Sequence, residues 1–382
     1  MAALRIAIDY TSAITERAGI GRYTRGLVAA LAQVNTEDHL TLFSSEQPPA
    51  AHPPPKAPQL QSRIVPIGHR NLTRLWQTLR IPLPAEFLMG RADLIHGPDF
   101  VLPPAALRAK RIVTIHDLAY LTHPDCAQPG IVAFLSAAVP RALRAADHII
   151  AISEYTASGL MDRYDVPRER INVIYPGVDA TFTPQRDKQA IQQVMRAYEL
   201  EQPFILAVST IEPRKNYTRL IEAFAAATRQ SEGPRMLIIA GRKGWLYEDV
   251  FATVERYQLA SRVRFLDYVP EEQLPALYHA ATALAMPSLT EGFGMPVVEA
   301  MASGTPVICS TGGALPEVAG DAAMLVAPDD VAALADELAR VTADVALREQ
   351  LIARGLARAQ RFQWEAAARA HFAVYHQTAS GR

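Results

Sequence analysis

Short apolar runs alternate with helical patterns along the whole chain, the signature of repeated βα units around parallel sheets. The first run, Leu4 to Ile8, precedes a loop and an amphipathic stretch from Tyr23 to Val34. Further runs follow at Leu40–Phe43, Ile64–Ile67, Asp93–His96, Ile112–Ile115 and His148–Ile152. A second series begins at Phe204–Val208 and continues through Met236–Ala240, Val263–Leu266, Ala283–Met286, Pro306–Cys309 and Ala323–Val326. After its first strand, Tyr217, Leu220, Ile221 and Phe224 recur on one face of a helix. Beyond Pro328 the pattern is helical, from Val331 to about Gln377. Between the two series, Tyr175 to Arg186 reads as a linker. The segment Gln47 to Pro58, with six prolines, can be neither a central strand nor a helix interior and reads as a surface excursion. Two doubly wound domains and a helical tail result. In open parallel sheets ligands sit beyond the carboxyl ends of the strands, so with two sheets in tandem the expected site is a cleft between them.

Length agrees with this division, since 382 residues exceed one ordinary core. Lys plus Arg number 38 and Asp plus Glu 39, a balance that argues against a nucleic-acid binder. Cys126 and Cys309 match no metal or disulfide spacing. Met1 to Tyr10 lacks the pattern of a secretory signal, and no apolar run is long enough to span a membrane. A cytoplasmic enzyme is expected. Arginine supplies nearly all the positive charge, with lysine only at Lys56, Lys110, Lys188, Lys215 and Lys243.

The densest cluster of candidate chemistry runs from Pro287 to Glu299, directly after the strand ending near Met286. Gly292 and Gly294 open the loop, Pro296 suits a first helical position, and Glu299 then falls in the first helical turn. Amides between Glu291 and Glu299 would form an anion site, and the two carboxylates could accept hydrogen bonds from sugar or ribose hydroxyls. An acidic residue stabilising a helix start is the plainer reading of Glu299. A second cluster, Ser209-Thr210-Ile211-Glu212-Pro213-Arg214-Lys215-Asn216, lies between a strand end and a helix. Arg214 and Lys215 there read either as a diphosphate site or as a solvated helix start.

Glu291 and Glu299 in their glycine-rich frame resemble the Glu-x7-Glu signature of retaining nucleotide-sugar glycosyltransferases of family 4, the group 1 glycosyltransferases. Ala300-Met301-Ala302-Ser303-Gly304-Thr305-Pro306-Val307, Gly312, Gly313 and Leu315-Pro316-Glu317-Val318 extend the resemblance, which is strongest from Phe204 to Ala327. It implies an α/β GT-B fold: two Rossmann-like domains (residues 1–180 and 181–360) facing a central cleft, with a last helix (361–382) crossing back onto the first. It further implies that Arg214 and Lys215 bind the donor diphosphate and that His116, in Thr114-Ile115-His116-Asp117, lines the donor hexose with its backbone near the anomeric carbon. Gly19 and Gly21, in the loop after the first strand, would approach the donor phosphate. As a dinucleotide fingerprint that loop fails, because Thr24 stands where the third glycine belongs.

Ser209, Lys243, Val269, Gly292, Phe293, Gly294, Met295 and Glu299 complete the implied donor site, Glu299 holding the ribose. Many relatives carry an arginine near Thr210, which this chain lacks. Ser153 with Glu154 reads mainly as a helix cap, and His96, His123 and His148 as structural. No metal or other cofactor is implied. The co-substrate is a nucleotide diphosphate sugar, and the segments Glu212–Asn216 and Gly241–Trp245 favour GDP-mannose; the acceptor is a saccharide or lipid-linked saccharide. Arg70 to Phe87 interleaves cations with apolar residues and could lie on the inner membrane surface or simply pack as a surface helix. Two rival readings remain: a sugar-nucleotide epimerase of the same fold, and a hinged ligand-binding protein without catalysis.

Overall fold

The computed structural model describes residues 3–16, 19–34, 37–49, 53–65, 67–79, 81, 83–105, 109–200, 203–229 and 233–381. It divides into two units. The first holds Met1–Leu118, Gly130–Gly177 and Gln363–Arg382; the second holds Ala119–Pro129 and Val178–Phe362. The division is therefore discontinuous in sequence, with 119–129 joining the second unit.

The first unit carries seven strands: β1 (Arg5–Asp9), β2 (His39–Ser44), β3 (Leu60–Ile64), β4 (Leu94–Gly97), β5 (Lys110–Ile115), β6 (His148–Ala151) and β7 (Ile171–Val173). They form one sheet in the order β3-β2-β1-β4-β5-β6-β7, and every pairing is parallel. β3 ends at Ile64 instead of beginning there, and β7 is a strand the apolar pattern does not reveal, because polar Asn172 stands at the centre of its three residues. The helix Ile20–Val34 buries Leu27, Val28 and Leu31 on one face, and the last helix, Trp364–Ser380, packs beside it. That packing is tight at Gly26, where an added Cβ would lie 2.5 Å from the Trp364 ring.

The second unit has six strands: β8 (Phe204–Val208), β9 (Met236–Ala240), β10 (Val263–Asp267), β11 (Ala283–Met286), β12 (Val307–Ser310) and β13 (Met324–Val326). Their order is β10-β9-β8-β11-β12-β13, again all parallel. β8, β9 and β11 are almost wholly buried apolar runs, as strands covered by helices on both faces must be. The helix Tyr217–Ala227 buries Leu220, Ile221 and Phe224 in this core. In both sheets the chain starts in the middle, moves to one edge, then returns to build the other. The switch points fall between β1 and β4 and between β8 and β11, where ligands of such sheets bind.

Candidate functional site

The loop after β8 is pinned by its own sequence. Pro213 opens a short 3₁₀ turn, Pro213–Lys215, and Asn216 at φ +60° ends it before the helix Tyr217–Ala227. Asparagine tolerates this left-handed backbone better than most residues. Its side-chain amide donates to the carbonyls of Pro287 (3.0 Å) and Pro328 (2.7 Å), which ties this loop to the one after β11. Leu289 N–H donates to the carbonyl of Arg214 at 2.8 Å, and the hydroxyls of Ser209 and Tyr217 lie 2.5 Å apart.

Four charged side chains meet there. Arg214 Nη1 donates to Glu291 Oε2 (2.8 Å) and to the carbonyl of Thr290 (3.0 Å), while its Nη2 donates to Glu212 Oε1 (2.8 Å). Lys215 Nζ donates to Glu291 Oε1 at 2.7 Å. Side-chain exposure is 8% for Glu291 and 12% for Lys215. Burial would raise the Glu291 carboxyl, but the charges of Arg214 and Lys215 and the hydrogen bond from Lys215 overcome it and hold it at about 2. Lys215 is thus no solvated helix start. It is a largely covered partner of a buried carboxylate.

The β12 loop cradles Glu291 from the other side. Gly313 has φ +69°, and a Cβ there would lie 2.3 Å from the Glu291 carbonyl oxygen and 2.5 Å from its nitrogen. Ala314 N–H donates to that carbonyl at 2.8 Å, and Ser310 Oγ donates to the carbonyl of Ser288. Only glycine fits Gly313, on both backbone and spatial grounds.

Gly292, Phe293 and Gly294 are buried, and Gly294 at φ +96° starts the helix Met295–Ala302. An extra methyl at Gly294 would lie 2.6 Å from Leu315 Cδ2. Because the helix begins at Met295, Pro296 stands second and not first, and Glu299 lies in the second turn instead of the first. Glu299 is 1% exposed, and its Oε2 accepts from the Tyr278 hydroxyl at 2.9 Å. The two carboxylates of the motif therefore have different surroundings: Glu291 is held by cations, Glu299 by a phenol.

Around the neighbouring strands, Ile211 N–H donates to the carbonyl of Arg242 (2.8 Å) and Gly244 N–H to that of Ile211 (3.0 Å). Lys243 Nζ sits 4.6 Å from the Phe251 ring centre and 5.2 Å from that of Tyr247. Arg242, Lys243, Asp267 and Tyr268 line an open depression of about 390 Å³, with Arg242 over the Tyr268 ring at 4.6 Å. Val269 is buried. From 119–129, the Cys126 carbonyl accepts from Trp245 Nε1 at 2.8 Å, and burial together with the Arg214 charge lowers the His123 imidazole.

In the first unit, His116 directly follows β5. Its Nε2 donates to the Pro98 carbonyl at 2.7 Å, and its ring lies 4.8 Å from that of Tyr23, edge to face. Burial lowers its pKa, against the Pro98 hydrogen bond and the Asp117 charge. The His116 carbonyl accepts from Thr156 Oγ1 at 3.2 Å, and Ser153 caps the following helix through Thr156 N–H at 3.1 Å. Gly19 has φ +55° with open space around it, whereas Gly21 lies inside the helix Ile20–Val34 and not in a loop. An added Cβ on Gly21 would meet the Glu16 carbonyl at 1.9 Å, so close packing requires this glycine. His96 is buried between Tyr375 OH (2.8 Å) and Thr114 Oγ1 (2.9 Å), a satisfied core histidine.

Arg214, Lys215 and Glu291 thus come together at the β8/β11 switch point, while His116, Gly19 and Gly21 belong to the other unit. Glu212, Asn216 and Thr156 enter beside them. Glu212 was legible as a neighbour of two cations; nothing in the sequence singles out Asn216 or Thr156. Among the described residues no three His, Cys, Asp or Glu side chains gather to hold a metal ion.

Comparison with known proteins matches residues 188–358 to the family described as glycosyl transferases group 1 and residues 17–182 to glycosyltransferase family 4. The O-antigen chain mannosyltransferase B of Escherichia coli is 32% identical over 356 residues, covering 91% of this chain and 93% of that protein. A D-inositol 3-phosphate glycosyltransferase of Salinispora tropica is 36% identical over 236 residues, 58% of this chain and 48% of its own length. Among solved structures, sucrose-phosphate synthase from Thermosynechococcus elongatus aligns with TM-score 0.78 at 23% identity, covering 99% of this chain and 100% of that one. Anabaena HepE, solved with UDP and glucose, aligns with TM-score 0.75 at 19% identity, covering 98% and 100%. These two structures have the same paired Rossmann-like architecture.

Proposed function

The chain belongs to the group 1 glycosyltransferases of family 4, and from that premise we propose that it is a retaining, metal-independent enzyme moving mannose from GDP-mannose to a saccharide or lipid-linked saccharide. The observation that carries this reading is the pair of cations, Arg214 and Lys215, held beside Glu291 where the sheet of the second unit switches direction. Departure of a diphosphate needs positive charge fixed in advance, and a largely water-excluded cation pair supplies it.

Arg214 and Lys215 take the diphosphate, with the amides near Met295 at the helix start adding to them. Glu291 accepts from hydroxyls of the hexose. Glu299 holds the ribose, which requires its carboxylate to accept a ligand while keeping Tyr278. Ser209, Lys243, Val269, Gly292, Phe293 and Gly294 line the donor. In the first unit, His116 is fixed by Pro98 through its ring and by Thr156 through its carbonyl. The mannosyl relative in E. coli supports mannose as the sugar.

The enzyme works at the cytoplasmic face of the membrane, where donor is made available and a lipid-linked acceptor can be reached. Residues 47–92 contain six Lys or Arg and one acidic residue, Glu86, in a chain of net charge −1. There Leu72 and Trp76 pack into the core, whereas Leu79 (56%), Ile81 (43%) and Phe87 (77%) stay exposed; Arg80 lies outside the described residues. A cationic surface with protruding apolar side chains suits anionic lipid.

The test is nucleoside diphosphate release from a panel of UDP-, GDP- and ADP-sugars with saccharide acceptors, with and without chelator. GDP release that depends on acceptor and survives chelation is expected. Epimer formation without release would favour the sugar-nucleotide epimerase instead.

A further inference from the structure

The cations assigned to the diphosphate already have an anion. One carboxylate spans both, each of its oxygens taking one cation: Glu291 Oε2 from Arg214 at 2.8 Å and Oε1 from Lys215 at 2.7 Å. With Glu212 on the second nitrogen of Arg214, two positive and two negative charges cancel. A dianionic phosphate entering this cluster meets no net attraction unless one carboxylate gives way. The two carboxylates are not equivalent in this respect. Glu212 and the Thr290 carbonyl anchor Arg214 independently of Glu291, so Arg214 keeps its place if Glu291 withdraws. Lys215 reaches the same carboxylate from its other oxygen and is left available by the same withdrawal.

The geometry points to Glu291 as a stand-in for the donor diphosphate: its two oxygens take both cations, and phosphate oxygens replace it there when the donor binds. The carboxylate released in this exchange is the one that accepts from the sugar hydroxyls, so arrival of the diphosphate and readiness of Glu291 are one event. This rests on the assignment of the diphosphate to Arg214 and Lys215. It adds that Glu291 competes with the ligand it later helps to use.

Competition gives an unusual pair of effects in one variant. Glu291→Gln keeps the size of the side chain but leaves the cluster with a net positive charge. It should bind inorganic pyrophosphate and GDP on the order of tenfold more tightly than wild type while transferring sugar at least tenfold more slowly. Calorimetry with both probes, on wild type, Glu291→Gln and Lys215→Ala, decides the matter. Tighter binding in Glu291→Gln with weaker binding in Lys215→Ala is the expected pattern. Equal or weaker binding in Glu291→Gln, with Lys215→Ala still weakened, overturns the exchange and leaves the diphosphate assignment standing. Unchanged binding in Lys215→Ala overturns both. If Glu291→Gln does not fold, Glu291→Asp replaces it: a shorter carboxylate cannot span both cations, so tighter pyrophosphate binding is again expected, and equal or weaker binding overturns the exchange.

Discussion

Acidification should destabilise the first unit through His371. This side chain, on the last helix, is fully buried; its Nδ1 donates to the Ala367 carbonyl at 2.8 Å and its Nε2 accepts from Tyr23 OH at 3.3 Å. Nδ1 must carry the proton, because a carbonyl can only accept. Around it stand Tyr23 of the helix Ile20–Val34, His96 of β4 and Tyr375 of its own helix, with no carboxylate among these contacts to neutralise an imidazolium. Burial therefore pushes the pKa down to about 4, against the hydrogen bond to Ala367. The unfolded chain takes up this proton near pH 6.5, and the folded one only near 4. Stability is complete above about pH 6.5 and falls as pH drops toward 4. At pH 5 the loss from His371 alone is about 2 kcal/mol. Burial lowers His96 and His116 in the same direction, so the total is larger. Urea unfolding at pH 7.5 and pH 5.0, on wild type and His371→Gln, isolates the one residue. The variant should lose about 2 kcal/mol less than wild type over this interval. Equal losses, or a wild-type stability flat between the two pH values, would refute the reasoning.

Three further outcomes are expected. Lys215→Ala should lower kcat about a hundredfold and also cost about 1–3 kcal/mol in chemical denaturation, because it strips a partner from buried Glu291; a wild-type kcat would count against the site. Gly313→Ala should destabilise more than Gly304→Ala although both glycines have φ +69°, since only at Gly313 would the added methyl strike the Glu291 backbone; equal melting shifts would reject that account. Co-sedimentation with anionic vesicles should be salt-sensitive and weakened by replacing Arg70 and Arg74 with Ala or Phe87 with Glu, and binding indifferent to all three would leave the stretch as plain surface.

Much of the fold is legible in the apolar runs, because strands buried on both faces must be continuous Val, Ile, Leu and Ala stretches. Twelve of the strands coincide with such runs, β3 only at its boundary; β7 escapes because polar Asn172 interrupts its short Ile-Asn-Val segment. The candidate site is legible where chemistry is dense, at Glu212–Asn216 and Glu291–Glu299. What stays hidden is contact between distant segments. Reading Lys215 as a candidate for an exposed helix start follows from its sequence neighbours alone, and its pairing with Glu291, 76 positions on, does not. Likewise the loop reading of Gly21 overlooks a helix that starts one residue earlier, where Glu16 crowds the backbone. The placement of Glu299 in the first turn depends on a helix start that Gly294, through its positive φ, fixes at Met295.

A structure of this protein with GDP bound asks where the donor's diphosphate goes. Phosphate oxygens within hydrogen-bonding distance of Arg214 Nη1 and Lys215 Nζ, with the Glu291 carboxylate moved off both, are the predicted result. Nucleotide bound elsewhere, with the Arg214–Glu291 and Lys215–Glu291 contacts intact, would contradict it.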